Sequence, residues 1–169
     1  NQNNVFDEDV TKLIINVNNS GITGKQLGDI LRYKYNIEVE MDSLKYVLGI
    51  TTICDDYKEL ERLAEALKEI DKSLEEKQNE NISVELLKNK RMYSIYETDL
   101  KEKNTVNLFD SKDCISGEFV FLYPPGIPLV VPGEVITEEL LEQIKVYLEA
   151  NMNISGLKDN SNKTIEVVK

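Results

Sequence analysis

The chain has 169 residues, enough for one or two small domains with a real hydrophobic core. Hydrophobic residues at 41% and charged residues at 30% describe a folded protein and exclude a disordered one. The net charge of −11, with no basic patch, argues against nucleic-acid binding and against anionic membrane surfaces.

No apolar run approaches the roughly 20 residues needed to span a bilayer. The N-terminus, Asn1-Gln2-Asn3-Asn4, lacks the basic and apolar regions of a signal peptide. It also lacks an initiator methionine, so the chain is expected to be a piece of a longer protein. Cys54 and Cys114 stand sixty positions apart without a CxxC motif, and histidine is absent. Structural zinc is therefore not expected. Free thiols, buried or inert, in a cytoplasmic protein are the reading. Without histidine, Ser-His and Cys-His nucleophile pairs cannot come from this chain. Gly21-Ile22-Thr23-Gly24-Lys25-Gln26 has some look of a phosphate loop, but the spacing is short and Gln26 replaces the required Ser/Thr.

In chain order, β-branched Val10–Val17 predicts a strand and Asn18–Gly21 a turn. Leu27, Ile30 and Leu31 predict a helix over Thr23–Tyr35, stopped at Asn36. Ile37–Met41 alternates as a half-buried strand, and Tyr46–Ile53 reads as a second strand. Gly49 inside it suggests a close approach or a bulge. Asp55 or Asp56 caps a helix reaching about Glu76, with Asp56 and Glu59 spaced as a capping box. The order β-α-β-β-α is that of a split βαβ module. Residues 77–105 read as a linker with short helices, near Ser83–Lys88 and Ser94–Lys101, the latter with a Glu97–Lys101 pair. Strands follow at Val106–Leu108, Phe119–Leu122 and Leu129–Val131. Thr137 caps a helix buried through Leu140, Ile144, Tyr147 and Leu148, and Thr164–Val168 closes the chain as a strand. The fold class is α+β, in two sheet-and-helix modules at 1–76 and 106–169.

All four prolines fall within nine residues, in Tyr123-Pro124-Pro125-Gly126-Ile127-Pro128-Leu129-Val130-Val131-Pro132-Gly133-Glu134. Each proline fixes φ, removes a donor and extends the residue before it. Gly126 and Gly133 are where the chain can turn with positive φ. The stretch should be stiff, apolar and bent, neither helix nor central strand. The plain reading is a rigid connection over a core. The sharper one is a preorganised wall of a ligand or subunit-contact site, with the Glu134 carboxylate at its end.

This stretch resembles the C-terminal signature of the bacterial ornithine/lysine/arginine decarboxylases, which are fold-type I pyridoxal-phosphate enzymes. The earlier run Gly21-Ile22-Thr23-Gly24, Leu31-Arg32, Lys34-Tyr35-Asn36-Ile37, Val39-Glu40, Val47-Leu48, Thr52, Asp55, Leu63 and Leu67 is similar to the small domain that precedes that signature. The chain departs from the family at Asp113-Cys114 and Gly117, where members carry Gly-Arg and a small residue such as alanine; Glu118 still aligns. The resemblance implies that residues 1–76 are the small domain and 106–169 a C-terminal subdomain of such an enzyme. It implies that pyridoxal phosphate and its His-Lys lysine lie in a large preceding domain, that the full-length protein is a homo-oligomer, and that this chain is inactive alone and binds no cofactor itself. Acidic residues beside a rigid apolar wall suit the cationic end of a basic amino acid. Glu118, Tyr123, Pro124, Pro125, Gly126, Ile127, Pro128, Pro132, Gly133 and Glu134 are therefore the candidates for lining a substrate entrance or a subunit contact. Surface carboxylates and backbone caps are the plain alternatives for Glu118 and Glu134, and packing for Tyr123. The competing function is a non-catalytic interaction or small-ligand-binding module.

Overall fold

The β-branched run forms strand β1 (Lys12–Asn16), and helix α1 (Gly24–Tyr35) follows it. Thr23 starts α1: its side chain accepts the N–H of Gln26, and the Gln26 side chain returns to the Thr23 N–H. This reciprocal cap satisfies two donors that a helix start leaves orphaned. The computed structural model describes residues 7–74 and 87–169 and divides the chain into two units, 1–82 and 83–169.

The first unit continues with β2 (Met41–Asp42), β3 (Tyr46–Ile50) and α2 (Tyr57–Ser73). The sheet order is β1-β3-β2, with β3 antiparallel to both neighbours. β1 and β2 thus run parallel with β3 between them, which is the split βαβ arrangement expected. One face of this sheet carries the core, where Val17, Leu27, Leu31, Val47, Ala66 and Ile70 are buried together. Fully burying a leucine or isoleucine contributes about 1.5–3 kcal/mol. Asp56 and Glu59 form the expected capping box on α2.

Several boundaries differ from the expectations. The strand expected at Ile37–Met41 begins only at Met41. Asn36 turns left-handed at φ 51°, and the Ile37 N–H bonds the Leu31 carbonyl at 2.9 Å. That helix exit turns Ile37 and Val39 onto the core instead of into a ladder. Gly49 marks neither a bulge nor a close approach. The β1–β3 register runs through it, and an added Cβ would meet only the Leu13 side chain at 3.8 Å and its carbonyl oxygen at 3.9 Å, ordinary contact. β3 ends at Ile50, because the Thr52 N–H turns to the Asp55 carboxylate at 2.6 Å. Cys54 in that loop is exposed, not buried; Cys114 is half-buried, and both are free. α2 ends at Ser73, and the expected helix at Ser83–Lys88 lies largely outside the described residues.

The second unit contains α3 (Ile95–Asp99), β4 (Lys103–Asn107), a 3-10 turn at Leu108–Asp110, β5 (Val120–Leu122), β6 (Ile127–Val130), α4 (Glu138–Glu149), β7 (Ile154–Ser155) and β8 (Thr164–Val168). β4 pairs antiparallel with β8 over five residues, and a second sheet has the order β6-β5-β7. Leu108, Val120, Val130, Ile136, Leu140, Ile144 and Ile165 are almost fully buried. α4 buries Leu140, Leu141, Ile144 and Tyr147, while Leu148 is only half-buried. The expected Glu97–Lys101 pair is absent among the described ion pairs. Glu97 caps Ser94, and the Lys101 ammonium sits 4.1 Å from the centre of the Tyr93 ring. Among the described residues no helix is long and apolar enough to cross a membrane.

Candidate functional site

The proline-rich stretch makes a hairpin and a buried turn. β5 and β6 pair antiparallel with a register shift between Val120 and Phe121, so that Phe121 faces Pro128. Pro128 is tolerated because β6 is an edge strand beside a bulge, where a missing donor breaks no central ladder. Between the strands, Tyr123, Pro124, Pro125 and Gly126 turn the chain. The Tyr123–Pro124 and Pro124–Pro125 bonds are cis, Gly126 has φ +98°, and the Gly126 N–H closes onto the Leu122 carbonyl at 2.9 Å. Tyr123 through Pro128 are all exposed, Tyr123 at 55%.

After β6 the chain goes inside. Leu129 and Val130 are buried, and so are Pro132 and Gly133. Gly133 has φ +93°, its N–H donates to the Ser116 carbonyl at 2.8 Å, and its own carbonyl accepts from Met92 and Tyr93. Its missing side chain is what lets the Tyr93 carbonyl approach. Glu134, half-buried, closes this turn: its carboxylate accepts from the Val131 N–H at 3.2 Å and from the Asn89 amide at 3.4 Å. Asn89 also donates to the Leu129 carbonyl at 2.7 Å, while its buried Oδ1 meets no partner.

Glu118 is 6% exposed and sits deeper. One carboxylate oxygen accepts the Lys158 N–H at 2.9 Å and the other the Glu166 N–H at 2.7 Å. It therefore ties the chain before β5 to the loop after β7 and to β8. The Lys158 side chain, for its part, pairs with the Glu166 carboxylate at 2.6 Å, which holds its ammonium above the usual lysine range.

The predicted residues thus fall in three places. Tyr123 to Pro128 form the exposed hairpin tip. Gly133 and Glu134 belong to the inner turn. Glu118 and Pro132 meet in a shallow groove of about 650 Å³ that also takes in Ile95, Tyr96, Phe119 and Lys158. The sequence reasoning missed Tyr96, Lys158 and Asn89. Tyr96 is an exposed aromatic in a weakly patterned helix. Lys158 reaches Glu118 across forty positions, a pairing that no local spacing signals.

The N-terminus of each described α-helix carries its own capping side chain, from Thr23, Asp56, Ser94 and Thr137, which accepts one of the first N–H groups. The groove lysines, Lys103 and Lys158, each face a carboxylate, Asp99 at 3.7 Å and Glu166 at 2.6 Å. No cluster of metal-binding side chains occurs among the described residues.

Comparison with known proteins puts this arrangement in a family. Residues 72–160 match the family described as Orn/Lys/Arg decarboxylase, C-terminal domain. The chain is 37% identical to the arginine decarboxylase of Bacillus subtilis and 33% identical to that of Bacillus anthracis, each over 97% of this chain and 34% of the relative. It therefore spans about a third of the length of these curated relatives. Among solved structures, the fold is similar to the constitutive lysine decarboxylase of E. coli, with a TM-score of 0.72 at 17% identity, over 95% of this chain and 32% of that one. The lysine decarboxylase of Francisella novicida gives 0.70 at 19% identity, over 95% of this chain and 31% of that one. The chain belongs to the Orn/Lys/Arg decarboxylase C-terminal domain family.

Proposed function

We propose that this chain is the C-terminal portion of a pyridoxal-phosphate-dependent arginine decarboxylase, a carbon–carbon lyase, and that it does not catalyse alone. One observation carries the reading: relatives named arginine decarboxylase align with 97% of this chain while extending to about three times its length. On this reading the cofactor and its lysine belong to the rest of the polypeptide, about two thirds of the relatives' length.

Within this reading the exposed tip Tyr123–Pro128 and the Glu134 carboxylate form the wall of a substrate entrance or a subunit contact in a homo-oligomer. Stiffness suits the role, because a wall with fixed φ angles is ordered before anything binds and loses little entropy when something does. A carboxylate at its base suits the guanidinium of arginine. Glu118, Pro132 and Gly133 hold the wall in position: Glu118 by two backbone N–H bonds, Gly133 by three.

The upstream coding sequence tests this. The reading expects a large domain carrying a His-Lys pair ahead of Asn1. It also expects this chain, mixed with pyridoxal phosphate, to show no cofactor absorbance band and no borohydride-reducible lysine adduct. An upstream sequence without that pair, or a stable adduct at one lysine of this chain, overturns it.

A further inference from the structure

Residues 89–93 lie beside the turn that carries Glu134 and run antiparallel to it. Arg91 pairs with Glu134, the Val135 N–H donates to the Lys90 carbonyl at 2.9 Å, and the Met92 N–H donates to the Gly133 carbonyl at 2.8 Å. The Glu134 main chain is held from other directions too. Its carbonyl accepts from the Ser116 N–H at 2.8 Å, and its own N–H donates to the Val131 carbonyl at 3.1 Å. The carboxylate therefore projects from a backbone whose position is set.

The two oxygens of that carboxylate differ. Oε2 accepts from the Val131 N–H at 3.2 Å and from the Asn89 amide at 3.4 Å. Oε1 accepts no hydrogen bond among the described residues. Arg91, the cation opposite Glu134, forms no ion pair among the described residues either, so it does not occupy that oxygen.

Asn89 has one satisfactory orientation. Its amide nitrogen donates to the Leu129 carbonyl at 2.7 Å and to Glu134; turned over, Oδ1 would face two acceptor oxygens. The orientation it takes leaves Oδ1 buried with no partner, which is destabilising. Packing alone does not call for an asparagine here. Its donors do: one satisfies a main-chain carbonyl, and the other reaches the carboxylate.

We propose that Asn89 is a positioning residue for the Glu134 carboxylate. With the Val131 N–H it holds Oε2 against the turn, so that Oε1 is left to meet the cationic head of the basic substrate. The inference rests on the reading above that places Glu134 in the wall of a substrate entrance. A carboxylate meets a planar guanidinium best in a defined orientation, and one held by two donors beforehand loses less freedom on binding. Asn89 acts through Glu134 and touches no substrate itself.

The test is steady-state kinetics of the full-length protein with pyridoxal phosphate and arginine, on wild type, Asn89→Ala, Glu134→Gln and the double variant. Asn89→Ala is expected to raise KM by about 3-fold with kcat unchanged, as loss of one modest hydrogen bond implies. In the Glu134→Gln background it is expected to change KM no further. Asn89→Leu fills the same space without donors and is read in the same way where the alanine variant does not fold. Thermal unfolding of the same proteins separates a purely structural role. A lowered Tm with unchanged KM, a fall in kcat alone, or an equal rise in KM in both backgrounds overturns the proposal. KM raised by Glu134→Gln and unmoved by Asn89→Ala overturns this inference and keeps Glu134 in the substrate path. KM unmoved by Glu134→Gln overturns the reading of Glu134, and this inference with it.

Discussion

The carboxylate of Glu118 accepts the backbone N–H of Glu166 at 2.7 Å, so one buried acid holds the strand that carries another. Glu166 in turn pairs with Lys158, whose own N–H returns to Glu118 at 2.9 Å. A closed circuit of three residues thus joins the approach to β5, the loop after β7 and β8. Removing one acceptor from it exposes the asymmetry of buried hydrogen bonds: a donor left without a partner costs more than the bond contributed.

Glu118→Gln is accordingly expected to destabilise the protein by about 1–3 kcal/mol, because an amide offers one acceptor oxygen where two N–H groups point in. Urea unfolding of wild type and variant measures it. A midpoint unchanged within error would mean that the two backbone bonds do not hold in solution.

Gly133 and Gly126 offer a controlled comparison. Both have positive φ, so alanine at either carries the left-handed strain of about 1–2 kcal/mol. At Gly126 the new Cβ would meet only the Tyr123 ring at 3.9 Å. At Gly133 it would be driven into the Tyr93 carbonyl and lie 2.7 Å from the Thr98 hydroxyl. Gly133→Ala should therefore cost more than about 3 kcal/mol and clearly more than Gly126→Ala. Equal unfolding midpoints for the two variants would contradict the close approach.

Much of this was readable from local rules. Thr23, Asp56, Ser94 and Thr137 stand where caps are needed, and the 3.6-residue spacing of Leu27, Leu31, Ile70, Leu140 and Ile144 set the helices. Gly126 and Gly133 were legible because only glycine adopts their φ at low cost. That the proline-rich stretch forms no central strand followed from missing donors, while its strand runs Ile127–Val130 and not Leu129–Val131. What was not legible is long-range. That Glu118 would meet Lys158 and Glu166 depends on β8 folding back from forty-eight positions away. The late start of β2 depends on how Asn36 ends α1, a left-handed cap that redirects an alternating run into the core.

Asp159 gives a pH prediction. Its carboxylate accepts from the Ser161 hydroxyl and N–H and from Lys163 and Thr164, which holds it well below the usual carboxylate range. Its folded pKa lies below the unfolded one, so its contribution is fully present above about pH 4 and is lost as pH falls through the folded value. The gap in Tm between wild type and Asp159→Asn should therefore be widest near neutral pH and close below pH 4. A gap that widens in acid would reverse the sign and refute the loop's role.

Glu134→Gln in the full-length protein should raise KM for the basic substrate by roughly 5-fold, as loss of about 1 kcal/mol of charge attraction implies. Pro128→Ala, at the exposed edge of the hairpin, should change it less. Steady-state kinetics on both variants decides the matter, and unchanged KM for Glu134→Gln removes that carboxylate from the substrate path.

The central claim is that these residues are one part of an enzyme acting on arginine. Release of labelled carbon dioxide by the full-length protein tests it most directly, with carboxyl-labelled arginine, lysine and ornithine supplied separately alongside pyridoxal phosphate. The account predicts cofactor-dependent release with arginine well above the other two. Release from lysine or ornithine in preference would contradict the substrate, and no release from any of the three would contradict the function.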